Sequence, residues 1–196
     1  MLFTLGLETV KSNKVNSNIS NAVDALRKGG VIAYPTEHCF GLGCDPRNHS
    51  AIERLLNIKQ RKKDQGVILI AETLKQVSDY ADLDNVPLID QVKNSWPGPN
   101  TWLLPVNDKV SSWVRGKHKT IAMRISSHHV CQQLCNEFAH ALVSTSANRH
   151  GEDALLNAND VYAEFNDELD YIVDLPVGGA SKPSVIRNSL TGEQLR

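Results

Sequence analysis

The feature that most constrains this chain is a rhythm. Short apolar runs alternate with segments of helical spacing. Val31–Tyr34, Val67–Ala71, Thr101–Val106, Thr120–Ile125 and Ala141–Thr145 are four to six residues long and fit buried strands. Between them lie segments whose apolar residues recur on one helical face. Asn18–Lys28 carries Ile19, Ala22, Val23 and Leu26 and stops at Gly29-Gly30. Ile52, Leu55, Leu56 and Ile58 follow a cap at Asn48 or Ser50. Thr73–Tyr80, Val86–Trp96, Ser127–Phe138 and Asn159–Phe165 read as further helices, with Pro97 and Pro99 holding a rigid, extended turn. Pro35 to Pro46 reads as a loop, and Tyr171–Asp174 and Ser184–Arg187 as late strands. Such alternation predicts an α/β sheet covered by helices. The late strands have little helix between them, so part of the sheet is expected to be antiparallel. The loops after Tyr34 and Thr145 leave strand ends, where ligands of open α/β sheets bind, so they are expected to share one cleft.

The 196 residues suit a single domain, 1–196. A net charge of -1 gives no global pull toward nucleic acid or membrane. Any such pull must come from a patch: Lys59, Arg61, Lys62 and Lys63, or Arg115, Lys117, His118 and Lys119. Either patch is otherwise solvated surface. No segment approaches the ~20 apolar residues of a membrane helix. Residues Met1 to Leu7 lack the basic start of a signal peptide, so a cytoplasmic protein without membrane contact is expected. In that reducing setting, the cysteines are expected to be thiols. Cys131 and Cys135 share a helix face with Leu134 and Phe138 as small hydrophobes, and no residue is assigned to a metal.

Two pairs of polar residues stand out: Lys59-Gln60-Arg61 and Ser146-Ala147-Asn148. In extended backbone, residues two apart face the same way. Lys59 and Arg61 then suit a phosphate or carboxylate, or else they complement a helix C-terminus. Ser146 and Asn148 suit a nucleotide or a small polar substrate, or else cap a turn. Thr36 and Glu37 follow an apolar strand, and Glu37 is either a base or a loop acid. Arg124 interrupts an apolar strand and needs a partner, which is either a substrate carboxylate or an internal acid. No GxSxG elbow surrounds Ser146, and no GxxxxGK[ST] loop occurs.

Taken together and in order, several blocks resemble the YrdC/TsaC family of threonylcarbamoyl-AMP synthases. They are Tyr34-Pro-Thr-Glu37, Gly41-Leu-Gly-Cys-Asp-Pro46, Leu55-Leu-Asn-Ile-Lys-Gln-Arg61, Val67-Ile-Leu-Ile-Ala71, Trp96-Pro-Gly-Pro99, Met123-Arg-Ile125, Leu142-Val-Ser-Thr-Ser-Ala-Asn148 and Pro183-Ser-Val-Ile-Arg187. The resemblance implies a single twisted, mixed parallel/antiparallel sheet with helices on both faces and a large concave cleft. It implies condensation of L-threonine, bicarbonate (or CO₂) and ATP to threonylcarbamoyl-adenylate and pyrophosphate. Mg²⁺ would be carried by the nucleotide phosphates. The product would pass to a threonylcarbamoyl-transferase complex that modifies adenosine 37 of tRNA. In this likeness Lys59 and Arg61 are the catalytic cations at the triphosphate, Ser146, Asn148 and Ser184 join them at the nucleotide, and Thr36 and Arg124 hold threonine. Two departures are Val185, where many relatives have Thr, and the apolar run Val67–Ala71, where many carry a histidine.

Two other classes compete. One is a module that binds tRNA or double-stranded RNA at the basic cleft without turnover. The chain lacks an RNP-type motif, and aromatics are only 6% of residues, so stacking platforms for bases are scarce. The other is a sensor that binds nucleotide without turnover.

Overall fold

The computed structural model describes residues 2–149 and 151–196; Met1 lies outside them. After helix α1 (Leu2–Arg27) come β1 (Ile32–Pro35), β2 (Phe40–Gly43), α2 (His49–Ile58), β3 (Ile68–Ala71), α3 (Leu74–Ser78), α4 (Ile89–Asn94) and β4 (Asn100–Pro105). Then follow α5 (Ser112–Arg115), β5 (Thr120–Ile125), α6 (His129–Phe138), β6 (Leu142–Ser146), α7 (Ala158–Phe165), β7 (Tyr171–Ile172) and β8 (Val185–Asn188). The strands form one eight-stranded sheet in the order β7-β1-β2-β6-β3-β5-β4-β8. It is mixed. β1/β2, β2/β6, β3/β6 and β4/β5 are antiparallel, and β1/β7, β3/β5 and β4/β8 are parallel.

The expected rhythm of strands and helices is present, with instructive differences. The late strands are parallel to their neighbours, because they do not pair with one another. β7 docks beside β1 and β8 beside β4, at opposite edges of the sheet. The stretch from Pro35 to Pro46 is not all loop, since Phe40–Gly43 is a strand paired with β1. Glycine is needed there for close approach: a Cβ on Gly43 would lie 2.5 Å from Val143 O and 2.8 Å from a Tyr34 ring carbon. Helix α1 does not begin at Asn18. That side chain accepts from the Asp174 amide at 3.1 Å, tying α1 to the loop after β7 instead of capping a helix. Asn48 does cap α2, accepting from Ala51 N at 3.1 Å. The helix expected over Val86–Trp96 contracts to α4, and short α5, capped by Ser111, was not expected.

Alternation along the strands sorts side chains onto two faces. Ala33, Leu42, Leu69, Trp102, Leu104, Met123 and Val143 share a core with Ile52 and Leu55 of α2, Val92 of α4 and Val114 of α5. On the other face, Ile32, Tyr34, Ile70 and Leu142 pack against Ile19, Val23 and Leu26 of α1 and Val130, Leu134 and Cys135 of α6. Those two helices cover only part of that face. Farther across it, Ile68, Leu103 and Ala122 are only half-buried. All four cysteines are free and buried. Burial pushes the Cys131 thiol up to about 12, consistent with a packed hydrophobe. No helix among the described residues is long and apolar enough to cross a membrane.

Candidate functional site

The uncovered part of the sheet face is the floor of a cavity of about 450 Å³. Strand register explains which side chains reach it. Gly41 pairs with Ser146, Ile68 with Ser144, and Ile70 with Arg124, so these residues run across neighbouring strands. Six of the seven candidate residues line this cavity: Thr36, Arg61, Arg124, Ser146, Asn148 and Ser184. Lys59 lies behind the wall.

The difference between Lys59 and Arg61 comes from how α2 ends. Lys59 is the C-cap with φ -82 and ψ -4, and Gln60 has φ 48. The backbone therefore turns through the left-handed region that often closes a helix, and the expected extended geometry is absent. The two side chains part. Arg61 enters the cavity, with Nε donating to Gln65 Oε1 at 3.1 Å. The Lys59 ammonium, 8% exposed as a residue, turns to the end of β6. It donates to Ser146 O at 2.8 Å, to Asn148 Oδ1 at 2.7 Å, and to Asn148 O. Burial, then the nearby Arg61 charge, lowers it to about 8. The three accepting oxygens favour its charged form. Ser146 Oγ donates to Asn148 Oδ1 at 2.7 Å, and Asn148 Nδ2 donates to Glu152 O at 2.6 Å. The two sequence patterns are thus one hydrogen-bonded unit.

The opposite wall is built on Glu37. Thr36 closes the turn between β1 and β2, its hydroxyl donating to Cys39 O at 2.7 Å. Glu37 Oε1 accepts from Ser126 Oγ at 2.9 Å, Ser127 N at 2.9 Å and Ser127 Oγ at 3.2 Å. Its Oε2 lies 3.0 Å from Arg124 Nη1. That contact is ionic without an aligned donor, for Oε2 accepts no hydrogen bond among the described residues. Burial by itself would raise the Glu37 carboxyl. Arg124 and the hydrogen bonds at Oε1 outweigh it and hold the group below its ordinary value. Of the two partners expected for Arg124, the internal acid is present.

A third side is the segment that enters β8. Ser184 Oγ lies 2.9 Å from Thr101 Oγ1, and Arg196 Nη2 donates to Ser184 O at 3.0 Å. The sequence reading missed Arg196, and also Glu152 and Asp153, which line the cavity too. None of them carried a spacing signal. Arg196 reaches the site because the tail pairs back on β8, with Ile186 N donating to Arg196 O at 3.2 Å. An adjoining cavity of about 280 Å³ shares Arg61, Ile68 and Arg196 and has Leu103, Ala122 and Ile186 as apolar walls. No group of three or more His, Cys, Asp or Glu residues among the described residues is placed to hold a metal.

Known proteins share this architecture. Sua5 of P. abyssi complexed with L-threonine superposes with a TM-score of 0.80 at 26% identity, covering 87% of this chain and 50% of that one. The present chain thus spans about half of that protein. YciO of E. coli superposes with a TM-score of 0.76 at 28% identity, covering 90% and 89%. Among sequence relatives, a threonylcarbamoyl-AMP synthase of Coxiella burnetii is 42% identical over 91% of this chain and 96% of its own. One from Vibrio cholerae is 45% identical over 91% and 96%. The family model for Sua5, YciO and YrdC, described as telomere recombination, matches residues 24–196. With that match and those identities, this chain belongs to the Sua5/YciO/YrdC family.

Proposed function

We propose that this protein is a threonylcarbamoyl-AMP synthase, a nucleotidyltransferase that condenses L-threonine, bicarbonate and ATP and releases pyrophosphate. The observation that carries the reading is the distribution of charge around one cavity. Lys59, Arg61 and Arg196 are held by neutral oxygens, so their positive charge is not cancelled at the point of contact. Arg124 opposite is held by a carboxylate. The first arrangement suits a triphosphate; the second suits a threonine zwitterion of no net charge.

The roles follow. Arg61 faces the phosphates with a planar fork, and Lys59 fixes Ser146 and Asn148 beside the nucleotide while adding charge from behind the wall. The apolar walls of the adjoining cavity, Leu103, Ala122 and Ile186, suit a purine ring. Thr36 and Arg124 receive the threonine, and Ser184 closes the side between the two. Magnesium arrives with the triphosphate as part of the substrate. After the bound zwitterion has lost its ammonium proton to solvent, the neutral threonine amine attacks CO₂ with release of a second proton to solvent, or bicarbonate with loss of water, to give a carbamate. A carbamate oxygen then attacks the α-phosphorus as the bond to pyrophosphate breaks. Such a displacement depends on alignment and charge neutralisation, so a nucleophile such as a triad serine is not required.

The test is pyrophosphate release from ATP with threonine and bicarbonate omitted in turn. Release that needs both is the expected result. Release without threonine, or ATP binding with no release, sinks the reading. RNA affinity that collapses with salt, without release, would favour the RNA-binding module.

A further inference from the structure

A guanidinium outside the cavity ties together the two ends of the link between Lys59 and Asn148. Arg149 directly follows Asn148. Its Nη1 donates to Ile58 O at 3.3 Å, the carbonyl just before Lys59. Its Nε donates to Glu164 Oε1 at 2.7 Å and Nη2 to Glu164 O at 3.0 Å, while both Nη atoms reach the Glu168 carboxylate. The guanidinium carbon sits 4.7 Å over the Phe165 ring. One planar fork thus joins the end of α2, the turn after β6, and the end of α7. A cation at the last carbonyls of α2 is also favoured by the helix dipole. A lysine ammonium is a single point and cannot span these partners at once.

Arg149 is not among the residues lining the cavity, so it touches no substrate there. Yet the segments it joins are those whose separation decides whether Lys59 reaches Ser146 O at 2.8 Å and Asn148 Oδ1 at 2.7 Å. We propose that Arg149 is a positioning residue for nucleotide binding, clamping the end of α2 to the turn after β6 so that Lys59 and Asn148 stay joined. The ligand in this proposal rests on the synthase reading above; the clamp itself does not. The charged and titratable groups acting on Lys59 are Arg61, the Cys39 thiol and Arg149 itself.

Arg149→Lys separates the fork from the charge, because it keeps the second and loses the first. Two measurements are made well below the unfolding temperature: ATP affinity by calorimetry, and titration of the Lys59 ammonium by NMR in ligand-free protein. We expect ATP affinity to fall about tenfold, the scale of one weakened hydrogen bond to a charged group. The Lys59 midpoint should drop below about 8, since the oxygens that favour its charged form move away. Adding Arg149→Lys to Asn148→Ala should cost little beyond Asn148→Ala alone, as both act through one contact. Unchanged ATP affinity with an unmoved Lys59 midpoint overturns the proposal, even where thermal stability falls. If the wild type binds no ATP, the synthase reading fails, and the Lys59 midpoint alone decides for or against the clamp.

Discussion

On one hand, Lys59 behind the wall is held by carbonyl and amide oxygens, Arg61 in the cavity by a glutamine, and Arg196 on the β8 side by a backbone carbonyl. On the other, Arg124 is held by the Glu37 carboxylate at 3.0 Å. Both arrangements orient a cation. Only the second cancels its charge. Neutral acceptors let a protein aim positive charge at a site and keep it available, but burial then pulls the ammonium proton off more readily, as Lys59 illustrates. A carboxylate partner removes that difficulty and leaves a wall with shape and hydrogen bonding but little net charge.

The comparison can be broken most forcefully at Glu37. Glu37→Gln retains an oxygen for Ser126 and Ser127 but leaves Arg124 buried without its counter-charge, which should cost about 3 kcal/mol of stability at neutral pH. The Glu37 carboxyl is held below its ordinary value of 4.5, so its contribution is present above that pH and is lost as pH falls through the folded-state value. Urea unfolding midpoints of wild type and variant should therefore differ at pH 7 and converge in acid. A constant gap across that range would mean that the ion pair is not its source.

Next in size is Lys59→Ala. Removing a buried charge that also fixes Asn148 should cost about 2 kcal/mol of transition-state stabilisation, roughly 30-fold in pyrophosphate release. Near-normal release would remove Lys59 from the mechanism. Arg61→Gln should raise KM for ATP about tenfold, the loss of one charge-assisted contact, and leave KM for threonine nearly unchanged. An equal rise in both would show that the two walls do not divide the substrates. The smallest effect is a titration. Lys59 must be protonated to donate to its three oxygens, so ATP affinity should decline severalfold as pH rises through about 8. In Lys59→Ala, that alkaline decline should disappear.

Much of this was legible beforehand because it is local. Apolar periodicity located five of the six strands β1–β6 and helix α2 with Asn48 as one of two candidate caps, and short polar patterns singled out residues now found around one cavity. What escaped was either masked by glycine or depended on distant partners. Gly41 and Gly43 look like loop residues until Val143 and Tyr34 are seen pressing on β2. Lys59 and Arg61 look like a matched pair until the left-handed Gln60 sends them apart. Arg149 and Arg196 are single charges with no periodic signal, and the contacts of Arg149 arise only because α2 and α7 both come within reach of it.

The sequence by itself determined most of the strands and helices, and several of the polar residues at their ends, since both follow from near-neighbour spacing. Only the tertiary structure decided which cations are cancelled and which remain available. Charge compensation depends on contacts such as Glu37 with Arg124, and Lys59 with Asn148, between residues nearly ninety positions apart. No local pattern encodes a distance between them.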